Sequence, residues 1–209
     1  QQEINFFKFK PSYSLKLRYI EQNIFNQFVS GNERFYSIQK NIKLKLGLTN
    51  DLTTFFEYQN RTDRNSSPEN TTRNRNIVFD GFTTDFSYRP IQDIESGFQL
   101  IFSNATDNYS FIPSSADVNS QILRFIYSFT QVGRIRFELQ RDEVRISSSN
   151  NSYPYELTNG KVQGKTFFWR GFLDYSISNN IQATLNYDGR VEQNRKVINT
   201  GRAEIKAFF

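Results

Sequence analysis

Two carboxylates on one short segment, Glu138 and Asp142, are the residues of this chain whose spacing comes closest to a catalytic arrangement. A pair of carboxylates can serve as acid and base in hydrolysis when the two groups face each other at a fixed distance across a cleft. Here both lie on the same face of one extended segment. We therefore expect them to pair with Arg170 or Arg124 of a neighbouring segment instead.

Other common catalytic groups are absent from the sequence. The chain contains no histidine and no cysteine, which excludes the commonest general base and thiolate metal ligands. The run from Gly160 to Thr166 ends in Gly-Lys-Thr, but its glycines are four residues apart rather than the five of a phosphate-binding loop. We predict no enzymatic activity, no cofactor and no metal site.

The segments that must position these charges alternate between apolar and polar residues. In Tyr13–Tyr19, tyrosine and leucine occupy every second position, with Ser, Lys and Arg between them. A period of two lines up the apolar residues of a strand, whereas a helix would scatter them. Ten such segments follow one another, at about 13–19, 36–48, 54–58, 82–88, 94–102, 123–129, 135–139, 167–175, 181–187 and 203–209.

The connections between the segments alternate in length. Short turns rich in Asn, Asp, Gly or Pro are followed by longer polar stretches, at about 21–33, 60–75, 104–119, 146–161 and 189–196. This alternation is typical of an up-and-down barrel with tight turns at one end and loops at the other. One stretch is basic, with Arg61, Arg64, Arg73 and Arg75, and we interpret it as a solvated loop that could meet anionic polysaccharide.

Alternation alone does not distinguish a soluble β-sandwich from a transmembrane barrel, because both give the same residue string. No run approaches the roughly 18 apolar residues of a helical span, yet the chain has 22 phenylalanines and 11 tyrosines. A barrel explains this composition, since only alternate residues face lipid and aromatic residues gather at the two interfaces. The sequence therefore predicts an all-β, up-and-down antiparallel transmembrane β-barrel of about ten strands, a single domain over 1–209.

The end of the chain carries apolar residues at alternate positions: Ala203, Ile205, Ala207 and Phe209. This pattern resembles the C-terminal signal by which the assembly machinery recognises bacterial outer-membrane barrels. The turn phrases Tyr88-Arg89-Pro90 and Tyr175–Asn180 resemble periplasmic turns in outer-membrane barrels of the Bacteroidota. The resemblance implies an integral outer-membrane protein with extracellular loops, in contact with lipid and with the assembly machinery.

In a barrel the charged face points into the lumen, where the two signs nearly balance. The residues predicted to form this lumenal charge network are Lys16, Arg18, Lys43, Lys45, Glu57, Asp85, Glu95, Arg124, Arg134, Arg136, Glu138, Asp142, Arg170, Asp174, Asp188, Arg202 and Glu204. Pairing of these long side chains would fill a lumen about ten strands wide.

The leading functional hypothesis is therefore a structural anchor that displays its surface loops and has a largely charge-filled lumen. The alternatives are a small pore or transporter for polar solutes, or a section of a larger outer-membrane translocon or surface-protein barrel. In the last case the partners would be other subunits or an N-terminal portion of the same protein. Known barrel proteases and lipases use histidine, which is missing here, and the scattered net charge of +5 does not indicate a nucleic-acid partner.

Overall fold

Ten β-strands make up almost all of the structure, a computed structural model that describes residues 12–28, 31–110, 112–129, 132–148, 154–178, 180–193 and 195–208. The strands are β1 (Tyr13–Phe28), β2 (Gly31–Gly47), β3 (Leu52–Ser66), β4 (Arg75–Ile91), β5 (Ile94–Asp107), β6 (Ser114–Phe129), β7 (Gly133–Ser147), β8 (Gly164–Ser178), β9 (Ile181–Glu192) and β10 (Ile198–Ala207). Two single-turn 3₁₀ helices lie at Thr71–Arg73 and Tyr155–Leu157. Within the described ranges, no helix is long and apolar enough to cross a membrane.

Each strand pairs with the next one along the chain, and every pair is antiparallel. The result is a single ten-stranded sheet in the order β1 to β10, so the predicted up-and-down topology is confirmed. As far as the described residues extend, no pairing joins β1 to β10, and these two strands form the edges of the sheet.

The strands are longer than the apolar segments that were predicted to form them. β1 continues to Phe28 and β2 starts at Gly31, so most of the stretch 21–33 is strand rather than loop. The same holds for residues 60–66 of β3 and 114–119 of β6. Backbone pairing continues past the point where the apolar face ends, because the ladder needs a partner strand and not an apolar side chain.

The sheet buries charged residues on one face and exposes apolar residues on the other, which is the reverse of the burial in a soluble domain. Phe86 is 36% exposed, while its neighbour Asp85, on the opposite face, is only 5% exposed. The outward face also exposes Phe125 and Leu185, and the inward face buries Asp142. A sandwich would bury the aromatic residues and expose the carboxylates, so this arrangement indicates a barrel with its apolar face toward lipid.

Aromatic residues border the outward apolar face at both ends. Near the short turns lie Tyr13, Tyr88, Tyr127 and Tyr175, and near the long connections lie Tyr19, Tyr58, Trp169 and Tyr187. Tyr13 and Tyr19 are six positions apart, as are Trp169 and Tyr175, which is about 20 Å along a strand. Two such girdles bracketing an apolar band are typical of transmembrane barrels. We call the end with the long connections the loop end.

Beyond the girdle at the loop end, the alternation of apolar and polar residues reverses its phase: polar residues point outward and apolar residues point inward. On β4, Asn76 and Asp80 point outward, while Ile77 and Phe79 point inward and are buried. On β6 and β7 the inward residues are Ala116, Val118, Val144 and Ile146, and the outward ones are Asp117, Asn119, Glu143 and Arg145. This part of the sheet is built like a water-exposed domain, with polar residues outside and an apolar cluster inside.

Candidate functional site: the lumenal face

The connection between β7 and β8 folds against the lumenal face of the sheet. Leu157, at the end of its 3₁₀ helix, is 1% exposed and belongs to the buried cluster of Ile77, Phe79, Ala105 and Ala116. These partners lie on β4, β5 and β6, so the connection reaches several strands away from β7 and β8. We call residues 154–163 the inserted segment.

A charged contact holds the other end of the inserted segment. The Lys161 ammonium donates to Asp142 Oδ1 at 2.9 Å and to Ser120 Oγ at 2.5 Å. Both acceptors are almost fully buried on the inward face of β6 and β7. Between the two anchors the chain turns through Asn159 and Gly160, whose φ angles of 51° and 78° are in the left-handed region that Asn and Gly tolerate best.

Nearer the short turns, the lumenal face carries a series of ion pairs between neighbouring strands. Lys43 lies 3.2 Å from Glu57 across β2 and β3, and Arg170 lies 2.8 Å from Glu138 across β8 and β7. Further pairs are Arg89–Glu95 at 3.5 Å and, within β10, Arg202–Glu204 at 3.5 Å. The side chains of these pairs are partly exposed, from 25% for Glu57 to 74% for Arg202, so the contacts balance the charge of this face and each contributes little stability.

One ion pair skips a strand. Arg124 on β6 bonds the Asp85 carboxylate on β4, passing over Gly97 of the intervening strand β5. A β-carbon at Gly97 would lie 3.1 Å from both Nε and a terminal nitrogen of Arg124. Glycine at this position therefore gives the guanidinium its path.

Arg136 contacts an aromatic ring instead of a carboxylate. Its guanidinium carbon lies 4.3 Å from the centroid of the Phe172 ring on β8, within cation–π range. Both residues line a cavity of about 300 Å³ on the lumenal face, together with Arg170, Glu138 and Asp188.

The remaining predicted network residues lie on the same inward face. Asp174 accepts a hydrogen bond from Gln182 at 2.6 Å. Lys16 and Arg18 lie on β1, opposite Lys43 and Asn41 of β2. Lys45, Arg134 and Asp188 make no ion pair with another described residue.

Two groups of predicted residues lie elsewhere. Ala203, Ile205 and Ala207 are on the outward face of β10, and Phe209 lies outside the described residues. The prediction that Arg61 belongs to a solvated loop is wrong: Arg61 is on the inward face of β3. It lies 2.8 Å from Asp63 and contacts the Phe79 ring at 5.1 Å, because β3 extends beyond the apolar band.

The sequence did not reveal the inserted segment. Leu157 and Lys161 fell within a stretch interpreted as an external loop, and Ser120 was not singled out. The available signal was Leu157 itself, an apolar residue in a polar stretch, together with Ile77 and Phe79, two apolar residues at the positions of β4 where the charged face would continue.

Comparison with known proteins adds information on the fold alone. No family model matches the sequence, and no curated protein matches it. The CymD monoaromatic hydrocarbon channel is similar in structure, with a TM-score of 0.50 and 10% identity over 94% of this chain and 71% of CymD. The translocator domain of autotransporter NalP from Neisseria meningitidis matches with a TM-score of 0.37 and 6% identity, over 92% of this chain and 74% of that one.

Topology, exposed apolar face and the similarity to CymD agree on the fold class. The chain has an all-β, up-and-down antiparallel fold of ten strands, that of a transmembrane β-barrel.

Proposed function

We propose that this chain is an outer-membrane β-barrel that serves as a membrane anchor, displays its loop end on the cell surface and has a lumen closed by its own inserted segment. The single observation that carries this proposal is the burial of Leu157 among inward residues of β4, β5 and β6. A side chain from the connection between β7 and β8 can reach these residues only when the connection lies inside the barrel.

The lumenal ion pairs support the same proposal. Lys43–Glu57, Arg124–Asp85 and Arg170–Glu138 span different strand pairs and fill the lumen below the inserted segment. The proposal includes membrane lipid and the barrel-assembly machinery as partners, and it assigns no reaction to the chain. The phase reversal beyond the girdle supports the membrane location, since it marks where the strands leave hydrocarbon for water at the loop end.

A narrow pore is the second candidate, favoured by space that remains along the lumenal face. One cavity of about 300 Å³ adjoins Arg136 and Arg170. Another of about 370 Å³ lies at the loop end, between Glu156 of the inserted segment and Glu33 and Asp63 of β2 and β3. If these spaces join past the inserted segment, small polar solutes can cross. The fold similarity to a hydrocarbon channel is compatible with such a role.

Planar-bilayer conductance of the purified protein separates the two candidates. The closed-lumen proposal predicts no steady open current for the unmodified chain and discrete openings for the double variant Leu157→Ser/Lys161→Gln, which loses both anchors of the inserted segment. Val162→Ser is the matched control, because Val162 lies in the same segment but is exposed. Steady currents from the unmodified chain would contradict a closed lumen and favour the pore. A chain that stays monodisperse without detergent would contradict the membrane location.

A further inference from the structure

Three cations surround one carboxylate on the outward face of β7 and β8, just beyond the girdle at the loop end. Arg141 lies 3.2 Å from Glu143 Oε2, and Arg145 lies 2.9 Å from Glu143 Oε1. Lys165 of β8 is the cross-strand partner of Glu143 and adds to the positive field around it. These four side chains, which we call the basic patch, carry a net charge of +2 from three cations and one anion.

The cations of the basic patch keep hydrogen-bonding capacity for a further partner. A guanidinium has five N–H donors, and Glu143 occupies only some of those of Arg141 and Arg145. The Arg145 side chain is 78% exposed. On β6, the residues opposite Glu143 and Arg141 are Asn119 and Gln121, and neither carries a charge.

Acidic neighbours lie at the edge of the patch farther from the apolar band. Asp117 is the cross-strand partner of Arg145 and accepts a hydrogen bond from Asn104 at 2.8 Å. The cations closest to the apolar band, Arg141 and Lys165, have no carboxylate across the strand other than Glu143. The positive potential is therefore strongest at the height where the apolar band ends.

On the side of the basic patch toward the short turns, the same face of β7 and β8 is apolar. Arg141 is the cross-strand partner of Phe167, and the next outward pair toward the membrane is Leu139 with Trp169. Leu139 and Phe167 are exposed. Cations above exposed apolar side chains, on a surface that contacts a bilayer, match the two chemical parts of an anionic lipid.

We propose that Arg141, Arg145 and Lys165 bind the phosphate of an anionic lipid head group, with the acyl chains of that lipid lying on Leu139, Phe167 and Trp169. This inference rests on the proposed membrane location. It adds to the proposed anchoring function a site on β7 and β8 that prefers one class of lipid. Polybasic surfaces gain about 1 kcal/mol per basic residue at an anionic membrane, which corresponds to a fivefold preference per cation.

The chain offers a built-in probe, because Trp169 is its only tryptophan. Bromine on an acyl chain quenches the fluorescence of a tryptophan that it contacts. The protein is reconstituted in two matched vesicle sets of phosphatidylglycerol and phosphatidylcholine at the same ratio, with bromine on the acyl chains of one lipid or of the other. Comparing the two sets gives the local share of each lipid around Trp169.

We expect brominated phosphatidylglycerol to quench Trp169 as though it were enriched several-fold over its bulk fraction. The triple variant Arg141→Gln/Arg145→Gln/Lys165→Gln should bring the local share back to the bulk value. The variant Arg141→Lys/Arg145→Lys, which keeps the charge, should retain most of the enrichment and shows whether the site tolerates substitution. Lys40→Gln is the matched control, because it removes an exposed outward cation from β2, opposite the girdle residue Tyr19 of β1.

The remaining outcomes are distinguishable from one another. Equal quenching by the two brominated lipids in the unmodified chain would overturn the lipid site while leaving the membrane location intact. Loss of the enrichment on addition of millimolar inorganic phosphate would show that the patch binds free phosphate and would overturn the proposal for a lipid. Absence of quenching by either lipid would mean that Trp169 does not face hydrocarbon, and the proposed membrane location would fail instead.

Discussion

Arg124 on β6 and Asp85 on β4 form an ion pair across the full width of β5, over the one position of that strand, Gly97, that leaves room for a guanidinium. Asp85 is almost fully buried. The pair ties three strands together with side chains from two of them. It also makes a glycine inside a strand a structural requirement, although glycine generally weakens strands.

Replacing Gly97 with valine should therefore break the Arg124–Asp85 pair. We expect a loss of about 1–3 kcal/mol in the free energy of unfolding, because a buried carboxylate would lose its charged partner. Urea titration in lipid vesicles measures the change. Gly201→Val on β10 is the control, since an added β-carbon there meets nothing within 4 Å. Equal stability of the two variants would show that the Gly97 path is not needed.

Leu157→Ala should release the inserted segment while leaving the strands in place. A buried Leu→Ala change costs about 2–5 kcal/mol, so the open state of the segment should become at least about tenfold more populated. Trypsin cleavage after Lys161, followed by mass spectrometry of the fragment that ends there, reports on this opening. Val162→Ala, at an exposed position of the same segment, should leave the cleavage rate unchanged. Rapid cleavage of the unmodified chain at Lys161 would argue against burial of the segment.

The contact between Lys161 and Asp142 should show energetic coupling. Lys161→Met leaves a carboxylate whose side chain is 4% exposed with Gln140 as its remaining donor, at 3.0 Å. We expect this single change to cost about 1–3 kcal/mol. Adding Asp142→Asn should recover part of the loss, because the uncompensated charge is removed. A double-mutant cycle of unfolding free energies gives the coupling, and a value near zero would mean that the pair does not form.

Each edge strand needs a partner in the membrane, because unpaired backbone groups in hydrocarbon cost several kcal/mol each; pairing of β1 with β10 is the arrangement that a cross-link tests. The chain has no cysteine, so any disulfide must come from introduced residues. With Leu17→Cys on β1, we expect a cross-link with a cysteine at Gly201, Ala203 or Ile205, which share its outward face, and none with Glu204→Cys. Cross-links between two copies, with none inside one chain, would show that each edge meets a second molecule.

Alternation in the sequence predicted the number, order and pairing of the strands correctly, because contact with lipid requires an apolar residue at every second position of each spanning segment. It also identified Asp85 and Phe86 as residues of opposite faces. The prediction ended where lipid contact ends: the fourth apolar segment was placed at 82–88, whereas β4 continues beyond the girdle through Ile77 and Phe79 with reversed phase. Strand pairing in that region depends on partner strands, which a single segment does not reveal.

The inserted segment and the Arg124–Asp85 pair were out of reach for a different reason. Leu157 is buried only because three strands present Ile77, Phe79, Ala105 and Ala116 to the same point in space. Arg124 pairs with Asp85 and not with Glu138, its cross-strand partner on β7, because Gly97 leaves a diagonal path across β5 free for the guanidinium. Both depend on three-dimensional proximity of residues that lie far apart in the chain.

The reversal of phase on β4, β6 and β7 sets the depth at which the barrel sits in its bilayer. A shift of the barrel toward its short turns by one lipid-facing position would bring Asp80, Gln121 and Arg141 into hydrocarbon, and a shift toward its loop end would expose Phe82, Leu123 and Leu139 to water. Either displacement is unfavourable on several strands at once. Together with the second girdle near the short turns, this boundary matches the barrel to one membrane thickness, and a thicker bilayer would have to become thinner around it.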